Sequence, residues 1–255
     1  MDLQLVGSRV LVTGASQGIG AAIAEAFARE GCALHLVARS QEKLSAVAAH
    51  IAERHRVKVE VQPVDLTAPG GVEAVAARAG DVDILVNNAG AIPGGDLWAV
   101  QAERWREGWA LKVFGTIDLT RAIYSQMRER RRGVILNNIG NGGENPDFDY
   151  IAGSTGNAAL MAFTRALGGR SLEHGIRVVG VNPGPVGTAR LLAVLQRKLQ
   201  PGRELAQLLQ GYPLQRPATV EEIADIFPFL ASPRSGYTSG AVFTIDGGIT
   251  ARRSI

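Results

Sequence analysis

RVLVTGASQGIG, residues 9–20, decides the fold. The run from Arg9 to Thr13 is apolar at nearly every position, as a strand covered on both faces is. It passes directly into a turn carrying Gly14, Gly18 and Gly20, and then into a helical pattern from Ile19 to Glu30. Glycines so spaced let a backbone approach a pyrophosphate, and the helix N-terminus behind them offers free N–H groups and positive potential to an anion. A glycine-rich turn alone also reads as a tight loop that holds nothing. The strand before it, the helix after it and its place in the first βαβ unit favour a dinucleotide site, with Ser16 and Ile19 among its residues.

Outward from this unit, strand and helix signals alternate. Strand runs recur at 33–38, 57–62, 83–86, 133–137, 176–181 and 241–245, separated by helical patterns at 41–55, 71–78, 102–130, 158–172, 191–209 and 220–231. This order predicts an α/β fold: a doubly wound parallel sheet of about seven strands with helices on both faces. With 255 residues, 46% of them hydrophobic, one domain spanning 1–255 is expected. Pro-Gly clusters at 183–187 and 201–202 bracket an apolar helical segment, so residues 189–215 are expected to form a lid over a cleft.

The end of the second strand bears on which dinucleotide is held. An NAD site of this type carries a carboxylate there for the ribose hydroxyls, whereas an NADP site has an uncharged residue and a nearby Arg. Here the strand ends in Ala38, followed by Arg39 and Ser40. A guanidinium and a hydroxyl suit a 2′-phosphate, which favours NADP(H) over NAD(H). Arg39 also reads as a merely solvated side chain.

TGASQGIG (13–20), NNAG (87–90), PGPVGT (183–188) and YTSGAVFTIDGG (237–248) together resemble the short-chain dehydrogenase/reductase family, in order and spacing, over essentially the whole chain. The resemblance implies a Rossmann-type fold, a homotetramer or dimer, and a small-molecule substrate. It implies cofactor roles for Asp65 and Leu66 beside the adenine, for Asn87, Asn88, Ala89 and Gly90 at the adenosine ribose, and for Pro183, Gly184, Val186 and Thr188 around the nicotinamide.

The family reduces carbonyls or oxidises alcohols with an Asn, Ser, Tyr and Lys set. Aligned without a gap from NPGPVGT backwards, this chain has Asn157 at the Lys position, Gly153 at the Tyr position and Gly140 at the Ser position, with Lys112 in the place of the Asn. It is thus similar to an atypical member in which all four positions are changed. GSTGN (153–157) opens the helix expected at 158–172 and offers no group that titrates near neutrality. Lys112, Tyr150 and Asn157 are the candidate catalytic residues. Tyr150 precedes Gly153 by three residues; in a helix it would share that face but lean away from the usual carbonyl position, so it reads equally as a pocket wall. Lys112 either polarises a substrate oxygen or reaches the nicotinamide ribose, or else fills vacant volume and bonds Asn157, Asn137 or Asn138.

Other chemistries find little support. The four histidines lack metal-ligand spacing, so no metal is expected, and Cys32 beside ALHLV reads as a core residue. The charge balance, 27 Lys+Arg against 24 Asp+Glu, and basic runs without interleaved aromatics argue against nucleic acid. The N-terminus lacks signal-peptide features and no apolar run has membrane-spanning length, so a cytoplasmic protein off the membrane is expected. Three functions follow as alternatives: an NADP(H)-dependent oxidoreductase for a small hydrophobic carbonyl or alcohol with a non-standard site, an inactive dinucleotide-binding scaffold or regulator, and a lyase or isomerase using Glu144, Asp147 or Asp149. Gly168 and Gly169, expected inside a helix, are read as a close helix approach across a subunit interface.

Overall fold

A computed structural model describes residues 1–199 and 205–252. Its strands are β1 (Arg9–Thr13), β2 (Ala33–Ala38), β3 (Val59–Pro63), β4 (Ile84–Asn87), β5 (Gly133–Asn138), β6 (Ile176–Pro183) and β7 (Val242–Ile245). All pair in parallel, in the order β3-β2-β1-β4-β5-β6-β7. The first helices are α1 (Gly18–Arg29), α2 (Gln41–His55), α3 (Gly71–Ala79), α4 (Ala102–Trp109), α5 (Gly115–Arg130) and α6 (Ile151–Gly168). After β6 come α7 (Ala189–Lys198), α8 (Leu205–Leu209), α9 (Val220–Ala224) and α10 (Ile226–Ala231).

Strand alternation explains why the sheet runs are apolar throughout: each neighbouring pair of side chains serves two cores. In β1, Val10 and Val12 pack with Ile23 and Phe27 of α1, Leu44 of α2 and Phe227 of α10. Leu11 points the other way, to Val75 of α3 and to Leu119, Ile123 and Met127 of α5. The helices that leave β1 and β2 thus cover one face, and those that leave β3 and β4 cover the other. Arg177 in β6 is buried without a carboxylate. Its guanidinium instead donates to the carbonyls of Leu230, Ala231 and Ser232 at 2.7–3.1 Å, closing the carboxyl end of α10 where a cation is favoured.

Several helix limits differ from those the sequence suggests. The stretch 102–130 is not one regular helix: Ala110–Phe114 forms a π-helical turn between α4 and α5, and Lys112 sits in it. GSTGN does not precede α6 but lies inside it, because the helix begins at Ile151. All of the GSTGN residues but Thr155 are buried: a Cβ on Gly156 would come within 3.0 Å of Ile92 Cδ1 and 3.2 Å of Trp109 Nε1. Gly168 ends α6 and Gly169 caps it, so neither is interior to the helix. A Cβ on Gly168 would meet the Gly240 amide at 2.3 Å, so the close approach that requires glycine is made within the chain, and the inference of a subunit interface from these glycines falls away. The helix expected over 191–209 appears as α7 and α8; Pro201 and Gly202 lie outside the described residues. The helix expected at 220–231 divides at Asp225.

Phe27 is fully buried at the centre of the α1 face. Phe27→Ala should destabilise the protein by about 3–5 kcal/mol, lost contacts and cavity together, read as a lowered urea midpoint at unchanged m.

Candidate functional site

A cleft of about 1530 Å³ opens at the carboxyl ends of the strands, above the junction where β1 pairs with β2 on one side and β4 on the other. This is the switch point at which open α/β sheets leave room for a ligand. Gly14 has φ of +66°, and a Cβ there would stand 2.9 Å from Ala89 Cα. The turn can therefore press against the NNAG segment only as glycine. Thr13 fastens the two: its Oγ1 accepts from the Asn88 and Ala89 amides at 3.0 Å, while Asn88 Nδ2 donates to the Thr13 and Gly14 carbonyls. A Cβ on Gly20 would overlap the Gly14 carbonyl at 2.3 Å, so α1 starts close to the turn with its N-terminus facing the cleft. This backbone cradle fits a dinucleotide pyrophosphate.

All but one of the residues expected to hold the cofactor line this one cleft: Gly14, Ser16, Gly18, Ile19 and Gly20 in the turn, Arg39 and Ser40 after β2, Asp65 and Leu66 after β3, Asn88, Ala89 and Gly90 after β4, and Pro183, Gly184, Val186 and Thr188 after β6. Asn87 does not join them. Its amide is buried and donates to Thr120 Oγ1 and Asn137 Oδ1, both at 2.9 Å, and so braces β4 against β5 and α5. Thr188 caps α7 by accepting from the Leu191 amide, and Ser40 caps α2 in the same way from the Lys43 amide.

At the Arg39 end, the guanidinium is exposed and stands 4.0 Å from the Asp65 carboxylate, a loose pair of little strength. Asp65 is held below the usual carboxylate range chiefly by two hydrogen bonds from Thr67 and only lastly by Arg39. Lys43, which the sequence analysis passed over, also lines the cleft here and donates to Gln17 Oε1 at 3.4 Å. Its position in the first turn of α2, three residues after Ser40, was the available signal.

At the other end, Lys112, Tyr150 and Asn157 all line the cleft. Lys112 Nζ donates to the main-chain carbonyls of Asn138 at 3.1 Å and Ile139 at 2.6 Å; of the asparagines named as possible partners it reaches Asn138, through the main chain, and neither Asn157 nor Asn137. Burial first, and the charge of Arg190 second, push its amine down to about 8. Asn157 is buried, and its Oδ1 finds no partner among the described residues, as does Asn138 Oδ1. Such acceptors fit ligand hydroxyl or amide donors.

Tyr150 departs most from expectation. It is the N-cap of α6 rather than a helical residue, with φ −139° and ψ 36°, so the rule that helical side chains lean toward the N-terminus does not govern it. Its ring folds over Gly153 instead. A Cβ on Gly153 would lie 1.9 Å from Tyr150 Cζ, the carbon that bears the hydroxyl. Burial raises the phenol above its ordinary value, and the charge of Arg190 opposes that rise. Arg190, in the first turn of α7, is the other residue that sequence reasoning missed; it lines the cleft and donates to the Ile92 carbonyl.

Among the loop acids, Asp147 and Asp149 line the cleft. Glu144 does not: it binds Thr244 Oγ1 and pairs with Arg165 at 3.4 Å. No group of His, Cys, Asp and Glu suited to a metal occurs among the described residues, and none of their helices is long and apolar enough to cross a membrane. Cys32 is buried, with its thiol pushed up to about 12 by burial first and by nearby Glu30 and Asp83.

The pattern of the short chain dehydrogenase family matches residues 8–198. Oxidoreductase UcpA of Salmonella typhimurium is 33% identical across 99% of this chain and 98% of its own. L-sorbose reductase from Gluconobacter frateurii, solved with NADPH and L-sorbose, superposes with a TM-score of 0.93 at 33% identity, covering 99% of this chain and all of that one. A 7α-hydroxysteroid dehydrogenase, solved with NADH and 7-oxo glycochenodeoxycholic acid, gives 0.87 at 28% identity, over 97% and 96%. With this sheet, this glycine turn and these relatives, the chain belongs to the short-chain dehydrogenase family, a Rossmann-type oxidoreductase fold that binds NAD(P).

Proposed function

We propose that this protein is an NADP(H)-dependent oxidoreductase for a small carbonyl compound or its alcohol, working through a site that lacks the usual Ser, Tyr and Lys and is rebuilt around Lys112 and Tyr150. The observation that carries the reading is the volume at Gly153: the Tyr150 ring fills the space where a side chain at 153 would begin. Its hydroxyl is thereby set closer to α6 than a tyrosine projecting from 153 would set it. The missing side chain leaves a substrate oxygen room to approach that far.

When bound, NADP(H) supplies or accepts the hydride. This chain's residues do the rest. The Tyr150 hydroxyl gives a proton to the oxygen of the reduced carbonyl, a role generally worth about 10²–10⁴ in rate. Lys112, when protonated, has three N–H donors and gives two to Asn138 and Ile139, which leaves one for the substrate oxygen or a ribose hydroxyl. Asn157 Oδ1 accepts from a ligand donor. Leu191, Val194 and Leu195 of α7 supply an apolar wall at the start of the lid expected over 189–215. Assembly as a dimer or tetramer, as is common in the family, completes the proposal, with light scattering at micromolar concentration as its test.

A scaffold that has simply lost catalysis is disfavoured by the same geometry. Gly140 has φ of +131°, where a serine would be strained, and a Cβ there would stand 3.0 Å from Asn157 Nδ2. Gly153→Tyr would collide with Tyr150. Reinstating Gly153→Tyr with Asn157→Lys and Gly140→Ser should therefore lower stability and leave reduction no faster. An increase in NADPH consumption with those changes would overturn the rebuilt site. On a panel of aldehydes and ketones, Lys112→Ala and Tyr150→Phe should each cut turnover by about 10²-fold while sparing NADPH affinity. Unchanged turnover in both would also sink it.

Two further outcomes bear on the cofactor and on Lys112. Ala38 removes the carboxylate that would repel a 2′-phosphate, and Arg39, with Lys43 nearby, supplies positive charge. NADPH should bind more tightly than NADH, and Arg39→Ala should weaken NADPH by about 10-fold and NADH hardly at all; equal dissociation constants in the unmodified protein would end this preference. The folded state holds Lys112 at about 8 against 10.5 for a free lysine, so between those values folding releases a proton. Relative to Lys112→Met, the unmodified protein should gain stability as pH rises from about 8 and level off near 10.5. Urea midpoints of the two that run parallel across this window would refute it.

A further inference from the structure

GSTGN holds a second glycine that the proposed reaction leaves unused. At Gly156 a Cβ would crowd Ile92 Cδ1 at 3.0 Å and Trp109 Nε1 at 3.2 Å, so the indole of Trp109 seats against bare backbone of α6. From that seat Nε1 donates to the Ala152 carbonyl at 3.0 Å, one helical turn before Gly156. A half-buried indole has a single N–H to give, and this bond uses it. Ala152 is fully buried, two residues after Tyr150, and it clusters with Ile92 and Val100 where the rings of Trp105, Trp109 and Tyr150 pack. The main chain of Trp109 belongs to a different part of the site. It is the last residue of α4, and the π turn that carries Lys112 begins at the next one. A π turn departs from the regular helical repeat, so the direction of the Lys112 stem depends on what holds that turn. Besides the indole bond, Val113 of the turn packs with Leu160 and Met161 of α6.

We infer that Trp109 is a positioning residue for the reduction: its indole, seated on Gly156 and bonded to the Ala152 carbonyl, fixes the π turn of Lys112 against the first turn of α6 and so sets Lys112 and the Tyr150 ring relative to one another. The inference rests on the reading of Lys112 and Tyr150 as the groups that serve the substrate oxygen. Trp109 is not among the residues that line the cleft, so it acts through those two and not on a ligand. The order of the segment makes the coupling direct. Three residues separate the indole from Lys112 along one turn, and two separate its acceptor from Tyr150 along the other. Loss of the indole donor does not orphan the acceptor, because the Ala152 carbonyl also accepts from Thr155 Oγ1 at 3.3 Å. Its removal therefore reads as a shift of the two turns against each other and not as a buried group left unpaired.

The seat is read first, without turnover. The chain has three tryptophans, Trp98, Trp105 and Trp109, and in nitrogen-15-labelled protein without added cofactor the Trp109 indole signal is the one that disappears in Trp109→Phe. Its N–H should exchange with solvent about 100-fold more slowly than that of exposed Trp98, and Gly156→Ala should shift the signal and speed its exchange. An indole N–H that exchanges as fast as that of Trp98, or one unmoved by Gly156→Ala, overturns the inference. The companion measurement is a double-mutant cycle on NADPH-dependent reduction across the carbonyl panel. Trp109→Phe keeps an aromatic ring and removes the donor. It should lower kcat about 10-fold at unchanged NADPH affinity and have little effect in a protein already carrying Tyr150→Phe. Gly156→Ala should follow the same pattern by displacing the indole, which keeps the test decisive where one variant folds poorly. Equal losses in both Tyr150 backgrounds mean that Trp109 serves the fold alone; they overturn the inference and leave the oxidoreductase reading standing. Absence of turnover in the unmodified protein on every substrate overturns that reading, and the inference with it.

Discussion

The cleft exists because β1 is hydrogen-bonded on both edges to strands whose following helices go to opposite faces. From β1 and β2 the chain turns to the face of α1 and α2; from β3 and β4 it turns to the face of α3 and α5. No helix can cover the gap above the carboxyl end of β1, so the backbone there must satisfy itself or bind something. Thr13 and Asn88 do the first, tying the glycine turn to the segment after β4. The free amides at the start of α1 are left for the second. All the remaining site geometry hangs from this divergence, since each group that lines the cleft is carried at the carboxyl end of a strand or in the first turn after it.

That dependence explains what the sequence discloses. Strands covered on two faces carry their apolar pattern locally, and β1 and β2 were legible to the residue. The glycine turn was legible as well, because Gly14 and Gly20 record backbone approaches that leave no room for a side chain. The start of α6 was not. Gly, Ser, Thr and Asn have poor intrinsic helix propensity, so GSTGN reads as a lead-in. In the fold their small size lets α6 pack against Ile92, Trp109 and the Tyr150 ring, and burial outweighs propensity. The π turn at Ala110–Phe114 leaves no sequence signature at all, yet Lys112 lies within it.

The reacting end carries groups whose polar needs the chain meets only in part. Lys112 is a part-buried amine held by two main-chain carbonyls and no carboxylate, and Asn157 and Asn138 each present a buried oxygen without a donor among the described residues. Such arrangements cost stability, and a core under no other demand replaces them with apolar side chains of the same volume. Elsewhere the chain shows how it satisfies a buried cation: Arg177 meets three carbonyls at the end of α10. Gln126 and Asn182, away from the cleft, keep an orphaned oxygen too, so this cluster is set apart by where it lies, on the wall of the cleft, and not by being unsatisfied.

Helix α7 joins the two ends of the site. Its cap, Thr188, lies against Gly18 of the glycine turn, where a Cβ would come within 3.3 Å of the threonine methyl. Two residues later Arg190 bonds the carbonyl of Ile92. One turn of helix therefore spans from the glycine turn to the segment after β4, and both contacts are made by side chains whose direction is fixed by the same backbone. Seating α7 holds these two walls of the cleft together. A residue type read from sequence as part of an apolar lid acquires its meaning only from that seating, because nothing in the segment around Arg190 signals that the carbonyl of Ile92, 98 residues away in the chain, is within its reach.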